Sequence, residues 1–308
     1  MAANPFLAPK ARPLIVGHRG VPVLHQENTL AGFRRAAALG VPAVELDVRL
    51  TKDKLAIVCH DPDLARLTGI ARDVHDLTWD QVSKLRIRRE LPMGIDAHGA
   101  RKVIRYAAEE RIPLFAEVLA AIPQTAINIE LKLDLNRWWP LDVATVTAQL
   151  IAAARAEDRV IVTSFDPRKL RAAVRVNPKL AIGFCYDDTM LDFARPLLER
   201  LPIRQADGEM RPTTRRALTG LLDANVMGRL LGTKLVGAEH TLVGPDTVTQ
   251  LHAAGVAIGT HTIFPLGSST GKPIAPSALM DSEAYRLADL NVDWIETDDA
   301  ERLMKLLY

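Results

Sequence analysis

Residues 43–60 read Ala43-Val44-Glu45-Leu46-Asp47-Val48-Arg49-Leu50-Thr51-Lys52-Asp53-Lys54-Leu55-Ala56-Ile57-Val58-Cys59-His60. Two apolar runs, Ala43–Val48 and Ala56–His60, have strand character and flank a turn-rich Thr-Lys-Asp-Lys segment. The link between Asp47 and Ala56 is too short for a parallel crossover, which needs about a dozen residues. The pair is therefore expected to form a hairpin. The run ending in His60 would fold back beside the Glu45/Asp47 strand and take no regular place in a parallel sheet.

On either side of this hairpin, short apolar runs alternate with helical periodicity. Leu14–His18 is the first strand, and Thr29–Leu39 follows as a helix with apolar positions at Leu30, Phe33 and Ala37, ended by Gly40. Later strands are expected at Ala126–Leu131, Val160–Ser164, Leu180–Tyr186, Leu235–Glu239, Ala257–Thr262 and Val292–Thr297, with helical patterns such as Ala144–Ala156 and Asp246–Ala254 between them. Setting aside the hairpin partner leaves eight strand–helix units. That number points to an α/β fold of the TIM (β/α)8 barrel type, closed by Val292–Thr297, with a short hairpin and a small insertion near the mouth. The stretch from Leu77 to Val118 is less regular and carries loop signals at Pro92-Met93-Gly94 and His98-Gly99. It reads as an excursion on a single barrel domain spanning residues 1–308.

Bulk properties fit that reading. The 308 residues are 48% hydrophobic and 25% charged, as in an ordinary globular protein with a core large enough to need no disulfides. The two cysteines, Cys59 and Cys185, lie in apolar strand-like runs and read as buried free thiols. Lys and Arg number 39 against 37 Asp and Glu, a near balance that gives no reason to invoke nucleic acid. The densest basic run, Arg86-Ile87-Arg88-Arg89, reads as a solvated loop or helix end. The N-terminus lacks the apolar stretch of a signal peptide, and no run is long enough to span a membrane, so a cytoplasmic protein is expected. Oligomeric state is left open.

Function in a TIM barrel sits at the C-terminal ends of the strands. Here those ends carry His18-Arg19-Gly20, Glu45 with Asp47, His60-Asp61, Glu130 with Lys132, Ser164-Phe165-Asp166, and Glu296-Thr297-Asp298-Asp299. Residues i and i+2 of a strand share a face, so Glu45 and Asp47 point one way, as do Glu130 and Lys132. Inward carboxylates are costly unless paired or bound to metal. Three of them, Glu45, Asp47 and Glu130, suit one hard divalent cation, Mg²⁺ or Ca²⁺. Two histidines without a cysteine cluster argue against structural zinc. Taken singly, a Glu-x-Asp is most often a solvated face and a His near a strand end most often structural; it is the succession of ionisable strand ends that indicates a site.

These motifs resemble the glycerophosphodiester phosphodiesterase family. The matching residues are His18-Arg19-Gly20, Glu27-Asn28-Thr29, Phe33, Gly40, Glu45-Leu46-Asp47-Val48, Thr51-Lys52-Asp53, His60-Asp61, Leu67-Thr68, Ile129-Glu130-Leu131-Lys132, Ser164-Phe165 and Thr297-Asp298, in family order. The resemblance implies hydrolysis of glycerophosphodiesters to glycerol 3-phosphate and an alcohol. It implies His18 and His60 as general acid and base, and Glu45, Asp47 and Glu130 as metal ligands. Arg19 and Lys132 would bind phosphoryl oxygens, with Glu27 and Asn28 completing the site. It also suggests attack by the glycerol 2-hydroxyl, giving a cyclic phosphate that is then hydrolysed.

Departures from the family pattern bear on the substrate. His261, in Gly259-Thr260-His261-Thr262-Ile263, stands where the family often has Trp, and reads either as a structural rim residue or as a substrate contact. The long polar loop Phe264–Pro273 suggests a lid, or an anion contact through Lys272. Trp138-Trp139 could pack on a helix and a loop, or form an apolar shelf for the chain of a lysolipid. Glu239-His240 ends another strand and is a further candidate contact. The alternatives weighed are a lysophospholipase D or sphingomyelinase D-like enzyme and, in a different class, a non-catalytic barrel that binds a phosphodiester. The toxin-like relatives usually carry disulfides, and a binding barrel would be expected to have lost one of the five central residues; here all five are present.

Overall fold

The computed structural model describes residues 4–133, 141–194, 196, 213–268 and 273–308. Eight parallel strands form a closed barrel: β1 (Leu14–Gly17), β2 (Ala43–Leu50), β6 (Ala126–Leu131), β7 (Val160–Ser164), β8 (Ala181–Tyr186), β9 (Leu235–Glu239), β10 (Ala257–Ile263) and β11 (Trp294–Thr297). β1 closes the ring, pairing Val16 with Ala43 of β2 and Leu14 with Trp294 of β11. The expected hairpin is present. β3 (Ala56–Val58) runs antiparallel to the far end of β2, with Val48 opposite Val58 and Leu50 opposite Ala56.

Register decides what enters the barrel. Ala43, Glu45 and Asp47 pair with Ala126, Asn128 and Glu130. By the two-residue period these six share the inner face, while Val44, Leu46 and Val48 point out into the main core with Phe33 and Phe115. The lower interior is apolar: Val16, Ala43, Ala126, Ile161, Leu235 and Trp294 pack around Phe6, which meets the Trp294 ring edge-on at 5.5 Å. Gly259 leaves room for that indole, since a Cβ there would come within 1.6 Å of it. Asn4 secures the plug, donating to the Val160 carbonyl at 2.8 Å. With the lower barrel filled, polar groups are confined to the upper layers.

The excursion differs from its expected limits. Between β3 and the barrel helix Phe115–Ala121, a separate cluster holds Ile57, Leu64, Leu67, Leu77, Val82, Leu91 and Ile112. It therefore begins well before Leu77, whereas Phe115 and Val118 belong to the barrel core. Its main feature is an antiparallel pair, β4 (Glu90–Ile95) with β5 (Arg101–Arg105). This pair bridges to the segment after β10, with reciprocal Ile95–Ser268 backbone hydrogen bonds of 3.1 and 3.0 Å. Both cysteines are free and buried. Among the described residues, no helix is long and apolar enough to cross a membrane.

Candidate active site

The turn after β1 is tight. Arg19 and Gly20 have positive φ (53° and 95°), and a Cβ on Gly17 would lie 2.2 Å from the Gly20 carbonyl oxygen. A left-handed arginine is a strained conformation of the kind that gathers at functional sites. It is held from both ends: the Arg19 amide donates to Glu45 Oε2 at 3.0 Å, and its guanidinium donates to Glu27 Oε1 at 3.0 Å and lies 3.3 Å from Asp47 Oδ2. Asn28, also left-handed at φ 58°, donates to Asp47 Oδ2 at 2.7 Å and accepts from the Asp47 amide at 3.3 Å.

Glu45, Asp47 and Glu130 converge, each offering an oxygen within 4.8 Å of the others. Glu45 and Asp47 are 2% and 1% exposed. Glu45 Oε1 and Asp47 Oδ1 are buried without a hydrogen bond. Lys132 Nζ lies 2.7 Å from Glu130 Oε1 and 3.3 Å from Asp47 Oδ1. Burial, then the charges of Asp47, Glu296 and Glu130, push the Glu45 carboxyl well above its usual range. Burial also opposes ionisation of Asp47, but Lys132 and Arg19 outweigh it and hold that carboxyl far below its usual range. All-oxygen donors, among them the unpartnered Glu45 Oε1, fit a hard divalent cation.

The histidines flank this cluster. His18 Nδ1 is 2.6 Å from Asp298 Oδ1, and Asp298 Oδ2 accepts from the Leu266 amide at 2.7 Å. His18 Nε2 lies 3.9 Å from Glu45 Oε2. His60 is carried in by the hairpin: Arg49 of β2 donates to its carbonyl at 2.8 Å, and its Nδ1 is 2.8 Å from Asp61 Oδ1. An ionised carboxylate only accepts, so each Nδ1 carries the proton and Nε2 is left for chemistry. Burial, then the positive charges of Arg19 and Lys132, lower the His60 ring below its usual range.

A chain of ion pairs joins the two halves. Asp61 Oδ2 accepts from Arg66 Nε at 2.6 Å, and Arg66 grips Glu27 with two bonds of 2.8 and 2.7 Å. Glu27, 2% exposed, completes the link to Arg19. Burial opposes its ionisation, but Arg19 and Arg66 prevail and lower its pKa. Sequence reasoning assigned no role to Arg66, Asp61, Asp298 or Glu296. Asp61 and Asp298 carried a signal, lying beside a histidine or at a strand end. Arg66 carried none, because its partners come from other loops.

His18, Arg19, His60, Asp61, Arg66 and Asp298 line a pocket of about 250 Å³. Glu239 and His261 are elsewhere. They are register partners at the ends of β9 and β10 and line an adjoining cavity of about 900 Å³. Thr262, Pro265 and Gly267 line both spaces. His261 Nε2 is buried without a hydrogen bond, and burial lowers the ring pKa to about 4. Trp138, its neighbour Trp139 and Lys272 lie outside the described residues.

The sequence profile of the Glycerophosphoryl diester phosphodiesterase family matches residues 18–302. A glycerophosphodiester phosphodiesterase from Caldanaerobacter subterraneus is 34% identical over 57% of this chain and 67% of its own length. A lysophospholipase D from Rattus norvegicus is 35% identical over 39% of this chain, an alignment spanning only 37% of that protein. In fold, the chain matches an Oleispira antarctica phosphodiesterase, solved in complex with sn-glycerol-3-phosphate, at a TM-score of 0.65, with 18% identity and 96% of each chain covered. With the profile running from the residue after β1 to the first turn of the last helix, Ala300–Leu307, the chain belongs to the glycerophosphoryl diester phosphodiesterase family and is a phosphoric diester hydrolase of that class.

Proposed function

We propose that this protein hydrolyses glycerophosphodiesters to glycerol 3-phosphate and an alcohol, with one divalent cation, Mg²⁺ or Ca²⁺, held by Glu45, Asp47 and Glu130. The observation that carries the reading is the pair of imidazoles beside the carboxylate cluster, each with Nδ1 tied to an aspartate and Nε2 left open. When bound, the cation supplies positive charge to the phosphoryl oxygens. Arg19 and Lys132 add to it and orient the phosphate. One imidazole takes the proton of the glycerol 2-hydroxyl while the other protonates the leaving alcohol, giving a cyclic phosphate. Water then opens the ring with the two roles reversed. The depressed His60 keeps a neutral, proton-accepting Nε2, which suits it to the opening step.

The test uses purified protein stripped with EDTA and given back Mg²⁺ or Ca²⁺, with glycerophosphocholine as substrate and glycerol 3-phosphate as readout. Turnover should depend on the cation. His18→Ala and His60→Ala should each abolish it while thermal unfolding stays near wild type. Tight binding of glycerophosphocholine without turnover would favour a non-catalytic binding barrel instead.

A further inference from the structure

Asp298 holds the His18 ring by one oxygen, and its other oxygen is held by the segment that follows β10. Oδ1 lies 2.6 Å from His18 Nδ1, and Oδ2 accepts from the Leu266 amide at 2.7 Å. Among the described residues the Asp298 side chain makes no other hydrogen bond. Its backbone is tied to the same segment, the Asp298 amide donating to the Ile263 carbonyl at 3.2 Å. The segment leaves β10 at Phe264, which is left-handed (φ 54°) and carries Arg302 over its ring, 4.1 Å from the centroid. Residues 263–266 thus wrap Asp298 by backbone and side chain.

The next two residues fasten this strap to the excursion. Ser268 and Ile95 of β4 exchange backbone hydrogen bonds of 3.1 and 3.0 Å. Gly267 lies so close to Met93 that a Cβ would come within 2.0 Å of its carbonyl oxygen. Met93 sits at an irregularity of the β4–β5 ladder, between the pairs Pro92–Val103 and Gly94–Lys102, and such bulges re-aim a strand. Met93 and Gly267 both line the catalytic pocket. The excursion also reaches the other imidazole, since Arg66, on the helical turn Ala65–Thr68, grips Asp61 beside His60. Residues 66–95 thus bear on both rings, although they supply no cation ligand, acid or base.

We propose that the clasp of Gly267 and Ser268 on β4 is a positioning device: it keeps the Leu266 amide on Asp298 Oδ2 and so fixes the direction and tautomer of the His18 ring. This rests on the acid–base role of His18 proposed above. A carboxylate bonded to the imidazole alone can turn about its Cβ–Cγ bond and release the ring; one gripped at both oxygens cannot. Gly267 has no positive φ, so its missing side chain serves the close approach and not the backbone conformation. An alanine there must drive the strap and β4 apart by about 1 Å, a misplacement that can lower turnover by about 10²-fold.

The experiment combines Gly267→Ala, and separately Ser268→Pro, which removes the amide that donates to Ile95, with Asp298→Asn. On glycerophosphocholine, in cation-loaded protein, each clasp variant should lower kcat by about 10- to 100-fold with KM little changed. In the Asp298→Asn background each should cost less than about twofold more, because the route to His18 is already cut. Nitrogen-15 NMR of the same samples, with the His18 signal assigned through His18→Ala, should show the ring moving from the Nδ1–H form towards a mixture of tautomers. Wild-type kcat with an unmoved His18 signal, or losses that multiply in full on Asp298→Asn, overturns the positioning role. A wild type without turnover overturns the phosphodiesterase reading, and the NMR signal then decides the clasp by itself. The two variants open the clasp by different routes, so one that fails to fold leaves the other to carry the test.

Discussion

Replacing Glu296 by Gln should stabilise the cation-free protein at alkaline pH and leave it unchanged in acid. Glu296 lies inside the barrel on β11, where Oε1 accepts from Asn128 Nδ2 at 2.7 Å and from Trp294 Nε1 at 3.3 Å. Asn128 in turn accepts from Thr163 Oγ1 at 2.8 Å. A glutamine keeps the accepting oxygen and removes the charge. Burial raises the Glu296 carboxyl from 4.5 to about 7, against the opposing pull of His18. Below about pH 4.5 the group is protonated in folded and unfolded chains alike and costs nothing. As pH rises towards 7 the unfolded chain ionises first, and folding is penalised by about 1.36 kcal/mol per pH unit, reaching on the order of 3 kcal/mol above 7. At about 2 °C per kcal/mol for a chain of this size, Glu296→Gln should raise Tm by roughly 5 °C near pH 8.5 in EDTA. Differential scanning calorimetry at several pH values reads both numbers. The reasoning fails if the gap is as wide at pH 4.5 as at pH 8.5, or if the variant melts lower throughout.

Other outcomes follow from the same geometry. Asp61→Asn and Asp298→Asn should each lower kcat by about 10²–10⁴, as loss of the Nδ1–H acceptor favours the wrong tautomer, with KM little changed in steady-state assays. Cation binding should release protons and tighten as pH rises, because the raised Glu45 carboxyl must ionise to bind; calorimetric titration in buffers of different ionisation enthalpy reads this directly. Arg66→Met should cut kcat while sparing the fold, and should alter the pH profile through Asp61 and His60, which a purely structural arginine would not do. Phe6→Ala should cost about 3–5 kcal/mol in chemical denaturation, since it empties the lower barrel beneath Trp294.

Much of this architecture was legible before any coordinates, and the reasons are local. Alternating apolar runs mark barrel strands because each is buried on both faces, and the eight-residue gap after Asp47 could only be a hairpin. Glu45, Asp47 and Glu130 stood out because a carboxylate amid β-branched residues has no solvent to face. The excursion was harder to delimit, since Leu64, Leu67 and Leu77 share a core with Ile57 and Ile112 through contacts that no periodicity records. Glu239 and His261 lie near strand ends as Glu45, Asp47 and Glu130 do, yet they line a neighbouring cavity. The Arg66–Glu27 pairing spans 39 residues and leaves no mark on either local pattern.

The plug beneath the barrel sets an order on its assembly. Phe6 is synthesised long before Trp294, the ring it must meet, and Asn4 waits 156 residues for the carbonyl it caps. The Phe6–Trp294 contact closes a loop of nearly the largest size this chain allows, and distant closures are slow because their entropy is spent before any contact repays it. Phe6, ahead of β1, is therefore a latch that completes its contact with Trp294 only once the last strand has docked. A nascent chain released early would present that open lower ring, with its row of small and branched side chains, to chaperones and proteases.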